Sequence, residues 1–329
     1  MMREMKAKLR SVYSSLPLAS VSSGWFSRWG RRMVVFLAQA SFLVLIVYFA
    51  QERLRHSWEA ISWDNMSLQI RYVISAATVQ AGAFMLTAFS WSQILHALSS
   101  PISTNKATLI WLKSQPFKYL PSGLGVYVGR SVLLLQEGAS KSLIVQSSAV
   151  EVALVLLTGA IFAAPLAFEN VGQSLGPIIA LFLVPALILL LRALALTRWG
   201  NRPIFRSGLH LSGLAEIPCS RLAILCLWYS LRWLLLGLSL TMLAAAFSLD
   251  SFTHYGYFVP AYACAWMVGF LTPLPGGLGA REVVMTTLLG SVLPSSALTL
   301  ALASRLVWIV AELLTAVVGW VWSGRVKLE

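Results

Sequence analysis

Leu120-Pro121-Ser122-Gly123-Leu124-Gly125-Val126 and Leu274-Pro275-Gly276-Gly277-Leu278-Gly279-Ala280 read almost alike, lie 154 residues apart, and sit in strongly apolar surroundings. A Pro-Gly break frees backbone N–H and C=O groups, and a bilayer core holds no water to satisfy them. It is tolerated where protein buries it or where it lines a polar cavity. When the same break recurs in both halves of a chain, it is a pointer to a transporter's binding site.

The surroundings make the bilayer the relevant solvent. Of 329 residues, 58% are hydrophobic and 11% charged, against about 25% charged in a soluble domain. Mean hydropathy is +0.76. Thirteen Trp suit interfacial belts. The net charge of +13 reads as a topology signal, because the basic residues cluster at the ends of apolar segments; no nucleic-acid partner is expected. Cys219, Cys226 and Cys264 form no CxxC pair, and the four histidines lack metal-ligand spacing, so neither a metal nor a cofactor is expected. The first apolar run starts near Met33, after a basic leader, and is long enough to remain as an anchor.

Runs of about 20 apolar residues, the length of a span, fall near 33–50, 70–94, 143–167, 176–197, 222–248 and 297–322. Two further blocks, 107–137 and 256–293, carry the breaks and read as re-entrant hairpins. The Arg- and Lys-rich leader places the N-terminus in the cytoplasm. The arginines between 192 and 221 and the C-terminal Arg325 and Lys327 fall on the same side. Segments around Glu59, Glu169 and Asp250 then lie outside. A shift of 154 residues carries 70–94 onto 224–248 and 143–167 onto 297–321. The expected fold class is therefore an all-α polytopic membrane protein with two inverted repeats, each of three transmembrane helices plus a broken re-entrant hairpin. Its divisions are a leader at 1–32, repeats at 33–168 and 169–322, and a tail at 323–329. The expected location is the cytoplasmic (inner) membrane, with both termini cytoplasmic.

Candidate site residues gather at the breaks. In the second, Pro275, Gly276, Gly277 and Gly279 permit close backbone approach. A half-helix starting there aims its N-terminal N–H groups at an anion. Arg281 adds a forked donor. Glu282 is either a substrate group or a cap on its own half-helix. In the first, Lys118, Pro121, Gly123, Gly125 and Arg130 belong to the candidate set, with Lys113 nearby. Three cations there invite an anion, although cytoplasmic hairpins are basic for topological reasons too. The Gly125-xxx-Gly129 spacing reads as backbone flexibility ahead of helix packing. Among the intramembrane charges, Glu151 and Arg305 occupy equivalent positions and are expected to pair. Glu312 shares a helical face with Arg305, and Arg232 has no acid nearby in sequence.

The segments Lys118–Arg130, KYLPSGLGVYVGR, and Pro273–Glu282, PLPGGLGARE, resemble the lysylphosphatidylglycerol synthase transmembrane family, whose members are also described as flippase-like. The likeness spans about 33–322. It implies lipid translocation, with Pro275, Gly276, Gly277, Gly279, Arg281 and Glu282 at the family's Pro-Gly-Gly-x-Gly-x-Arg-Glu positions. No soluble synthase segment is present in the sequence, so transport is expected rather than synthesis of an aminoacyl lipid. The expected partners are membrane lipids with an anionic or zwitterionic headgroup, including a polyprenyl-phosphate-linked sugar. Two alternatives stand beside the flippase: a membrane glycosyltransferase or phosphotransferase using a polyprenyl-phosphate donor, and a non-catalytic accessory subunit. The enzyme reading has little acid to work with, since Asp64 and Asp250 are the only aspartates and no DxD cluster occurs.

Overall fold

The computed structural model describes residues 68–119, 125–167, 217–247, 249, 251–272 and 274–326. The described chain is helical and contains no strand. Its helices are α1 (Ile70–Ala97), α2 (Thr104–Ser114), α3 (Gly125–Gln136) and α4 (Lys141–Ala163), followed by α5 (Cys219–Ala246), α6 (Tyr255–Leu271), α7 (Ala280–Leu289) and α8 (Ala297–Val326). The order long, short, short, long thus occurs twice. Four helical segments, Ile70–Ala97, Lys141–Leu166, Cys219–Ala246 and Ala297–Trp322, are long and apolar enough to cross a membrane. They coincide with four of the six expected spans. The spans expected at 33–50 and 176–197, the leader, Pro121 and Gly123 lie outside the described residues, as do residues 327–329.

Both blocks expected to be broken are interrupted. In the first, α2 gives way to a 3-10 turn, Gln115–Tyr119, ahead of α3; in the second, the turn Pro275–Gly277 separates α6 from α7. Local chemistry explains the second break. Thr272 precedes a proline, which disfavours helical geometry, and it is extended at φ −76°, ψ 146°. Gly276, Gly277 and Gly279 then take φ of 60°, 67° and 82°, a region that L side chains enter at a cost. The Gly279 N–H donates to Glu282 Oε2 at 2.7 Å and starts α7. The turn is pressed against α6: a β-carbon on Gly277 would stand 2.6 Å from the Gly269 carbonyl oxygen. In the first hairpin, the Phe117 ring occupies the space beside Gly129 where a β-carbon would project. Close packing, rather than the backbone flexibility expected from sequence, is what Gly129 provides.

The helices pack reciprocally. α1 lies along α5; α4 packs on α6, as α8 packs on α2; and α1 meets α8, as α5 meets α4. The 3-10 turns of the two breaks also touch each other. Polar clamps cross these contacts. Ser239 Oγ donates to the Ala76 carbonyl at 2.9 Å, and Trp233 Nε1 donates to Thr158 Oγ1 at 2.9 Å. α8 is inside-out relative to a helix of a soluble protein. Leu306, Val310, Leu313, Leu314 and Val317 are exposed along one face, while Arg305, Trp308, Glu312 and Thr315 are buried along the other. Apolar contact with lipid and internal satisfaction of charge produce this pattern.

Gly277→Ala should therefore lower stability by about 1–3 kcal/mol through left-handed strain, with the carbonyl clash in addition. Thermal melting in detergent checks this; an unchanged melting temperature would contradict the described turn.

Candidate functional site

Residues flanking the first break and the turn of the second meet at a cavity of about 150 Å³, room for on the order of ten water molecules. Lys118 and Arg130 reach it from the first hairpin, and Glu151 from α4. Arg232 arrives from α5, Gly276, Gly277 and Arg281 from the second hairpin, and Arg305 from α8. Sequence positions more than 180 apart thus face one space. Pro275 opens the 3-10 turn, Gly125 begins α3 and Gly279 caps α7; these three shape the breaks. Lys113 is not part of the lining; its ammonium lies 5.3 Å from the centre of the Trp320 ring.

The expected Glu151–Arg305 pair is not formed. Each residue instead meets an opposite charge on the second arm of its own half's hairpin. Arg130 of α3 pairs with Glu151 of α4, and Arg305 of α8 pairs with Glu282 of α7, Nε to Oε1 at 3.3 Å. The arrangement is equivalent in the two halves with the signs exchanged. Glu151 also accepts from Trp111 Nε1 at 2.7 Å. Arg305 Nη2 donates to the Gly276 carbonyl at 2.9 Å, satisfying a backbone group that the break would otherwise strand. Glu282 both caps its own half-helix and neutralises Arg305, so the capping alternative describes its contacts. Glu312 shares the inner face of α8 with Arg305 but links the halves: it receives Lys118 and the Tyr119 hydroxyl at 2.8 Å.

Arg232 and Arg281 differ from the other cations. Only 4% and 5% exposed respectively, they make no ion pair among the described residues. Nη1 of Arg232 and Nη2 of Arg281 meet no acceptor. Aromatic rings hold them. The Arg232 guanidinium carbon lies 4.3 Å from the Trp233 ring centre and 4.8 Å from that of Trp266. That of Arg281 lies 4.2 Å from Trp308 and 4.8 Å from Tyr262. A ring face attracts a cation, by ~2 kcal/mol or more when desolvated, without consuming its N–H donors.

The sequence reading missed these aromatic supports. It assigned tryptophans to interfacial belts, whereas Trp91, Trp111, Trp233 and Trp308 are buried. Two were marked by position: Trp233 follows Arg232, and Trp308 stands one helical turn after Arg305. Trp266 and Tyr262 carried no such signal.

Fold and cavity together define an integral membrane protein with two broken helical hairpins converging on buried charge. The model of one protein family, described as the lysylphosphatidylglycerol synthase TM region, matches residues 17–316, and the chain belongs to that family. Among curated proteins none matches it.

Double-mutant cycles test the pairing. Removing one partner of a buried pair costs about 3–5 kcal/mol, so Arg130→Met with Glu151→Leu should cost clearly less than the sum of the singles. Glu151→Leu with Arg305→Met, which share no partner, should be near-additive. Thermal melts of the five variants in detergent decide between this arrangement and a pair joining Glu151 to Arg305.

Proposed function

We propose that this chain is a lipid transporter, moving a membrane lipid with a charged headgroup across the bilayer while its acyl chains stay in hydrocarbon. The observation that carries the reading is the meeting of two interrupted helices at a charged cavity within an apolar bundle. An interruption in both halves is the arrangement by which transporters form a substrate site. Buried charge at such a depth is expensive and ordinarily functional. Family membership supports a role with membrane lipids. The named break residues, with Lys118, Arg130 and Arg281, are the headgroup contacts in this reading, and the cavity opens sideways towards lipid.

The inverted-repeat arrangement belongs to the same proposal. Reciprocal contacts, in which α4 meets α6 as α8 meets α2, are the mark of a two-fold relation. Three crossings per half turn that relation into inversion across the membrane. Hairpin one then enters from the cytoplasm and hairpin two from outside, with both chain termini cytoplasmic in the inner membrane. The glycosyltransferase alternative is weaker because each carboxylate beside the cavity is engaged by a cation or a donor, leaving little free general base.

Two measurements test this. Proteoliposomes carrying fluorescent phospholipid should equilibrate the label between leaflets faster than empty liposomes; conversion of a lipid-linked sugar instead would favour the enzyme, and neither result the accessory subunit. In a cysteine-free background, single cysteines at the exposed positions Gly138 and Ser295 should react with an impermeant reagent from the cytoplasmic and the outer side respectively. Labelling of both from one side would remove the inversion.

A further inference from the structure

Glu151 lines the cavity, and Glu282 and Glu312 pair with cations that line it. Five of the six carboxylate oxygens accept a hydrogen bond, and the sixth, Oε1 of Glu282, stands 3.3 Å from Arg305 Nε as an ion pair without one. Glu151 is held by Arg130 and Trp111, Glu312 by Lys118 and Tyr119, and Glu282 by the Gly279 N–H and Arg305. Five cations line the space; three are matched in this way, and Arg232 and Arg281 are left over. One guanidinium nitrogen of each, Nη1 of Arg232 and Nη2 of Arg281, is buried without an acceptor, while aromatic faces fix their planes. Two surplus buried charges are costly in hydrocarbon unless an anion neutralises them. A fork of fixed N–H groups suits phosphate oxygens.

We propose that the cavity is a site for a lipid headgroup bearing two uncompensated negative charges on phosphate, that is, a phosphate monoester or a diphosphate ester, and that it rejects a headgroup carrying an amine. The inference rests on the lipid-transport reading and narrows its substrate. An ammonium finds here only carboxylates already paired with a cation of the protein. The ring faces that would cage it are already covered: Trp266 by Arg232, and Trp308 by Arg281 and Lys118. A zwitterionic or lysine-bearing headgroup brings one phosphodiester charge, which matches one arginine at most, and buries its own cation among five others. A phosphodiester with one charge matches only one of the two.

Binding to the purified full chain, read by its tryptophan emission, tests this. The probes are dihexanoyl phosphatidic acid, phosphatidylglycerol and lysylphosphatidylglycerol of the same chain length, and inorganic phosphate. Phosphatidic acid should bind at least tenfold more tightly than phosphatidylglycerol, and the lysyl lipid should not compete with it. Inorganic phosphate should fail to displace it at equal concentration; if it displaces it, the ligand is a water-soluble phosphate and the lipid assignment is overturned. Arg232→Gln and Arg281→Gln should each weaken phosphatidic acid binding at least tenfold. Neither should lower the melting temperature of the unliganded protein, since each removes an uncompensated charge; Arg232→Lys and Arg281→Lys should recover part of the affinity. Equal binding of the singly charged or lysyl lipid, or wild-type affinity in either Gln variant, overturns the proposal. So does a loss of melting temperature matching the loss of binding, because the arginines are then structural. Selective binding without transport would refute the transporter and leave the site standing; transport with no headgroup preference would do the reverse.

Discussion

A peptide group in hydrocarbon has nowhere to turn but to the protein itself, and the architecture follows from that constraint. Each Pro-Gly interruption liberates backbone groups inside an apolar block. The second is satisfied by a side chain sent from elsewhere, as when Arg305 takes up the Gly276 carbonyl. A guanidinium brought in for this purpose needs a carboxylate, and Glu282 supplies it. The first hairpin meets a related need with Arg130 and Glu151. Polarity introduced by the break thus recruits further polarity, and the bundle closes around it with large buried aromatics and an apolar exterior.

The two halves solve this with opposite signs, which clarifies what each pair does. Because each ion pair joins a hairpin arm to the long helix that follows it, each half is electrostatically self-contained at that point. The contact of Lys118 and Tyr119 with Glu312 is different in kind. It crosses between halves and has no counterpart among the described residues: the position equivalent to Glu312 is Thr158, which accepts from Trp233. One fastening therefore holds the tip of the first hairpin to α8. Any motion that separates the halves there must break a buried ion pair.

Much of the fold was legible in sequence because bilayer physics writes in a coarse hand. Span length, apolar runs and a repeated Pro-Gly signature located four helices and both interruptions. The charged residues that line the cavity were visible individually, since an Arg or Glu in an apolar run stands out. Their partners were less legible. Equivalent positions suggested Glu151 with Arg305, yet pairing depends on which neighbour a helix presents at a given height, and linear symmetry does not encode it. The aromatic supports were the least visible: Tyr262 and Trp266 are ordinary residues of an apolar helix until the packing sets them beside a guanidinium. The same limit applied to Gly129, whose use depends on where Phe117 falls.

The surplus of guanidinium charge also bears on electrical insulation. A hydrated gap through a bilayer ordinarily leaks sodium and protons and collapses the gradients on which a cell runs. Fixed positive charge at a constriction repels both, the device by which some water-filled pores exclude protons. With Arg232 and Arg281 held by rings rather than by carboxylates, the cavity keeps that positive field whenever it is empty. On the lipid-transport reading proposed above, a cavity that takes a charged headgroup still stands as a barrier to small cations.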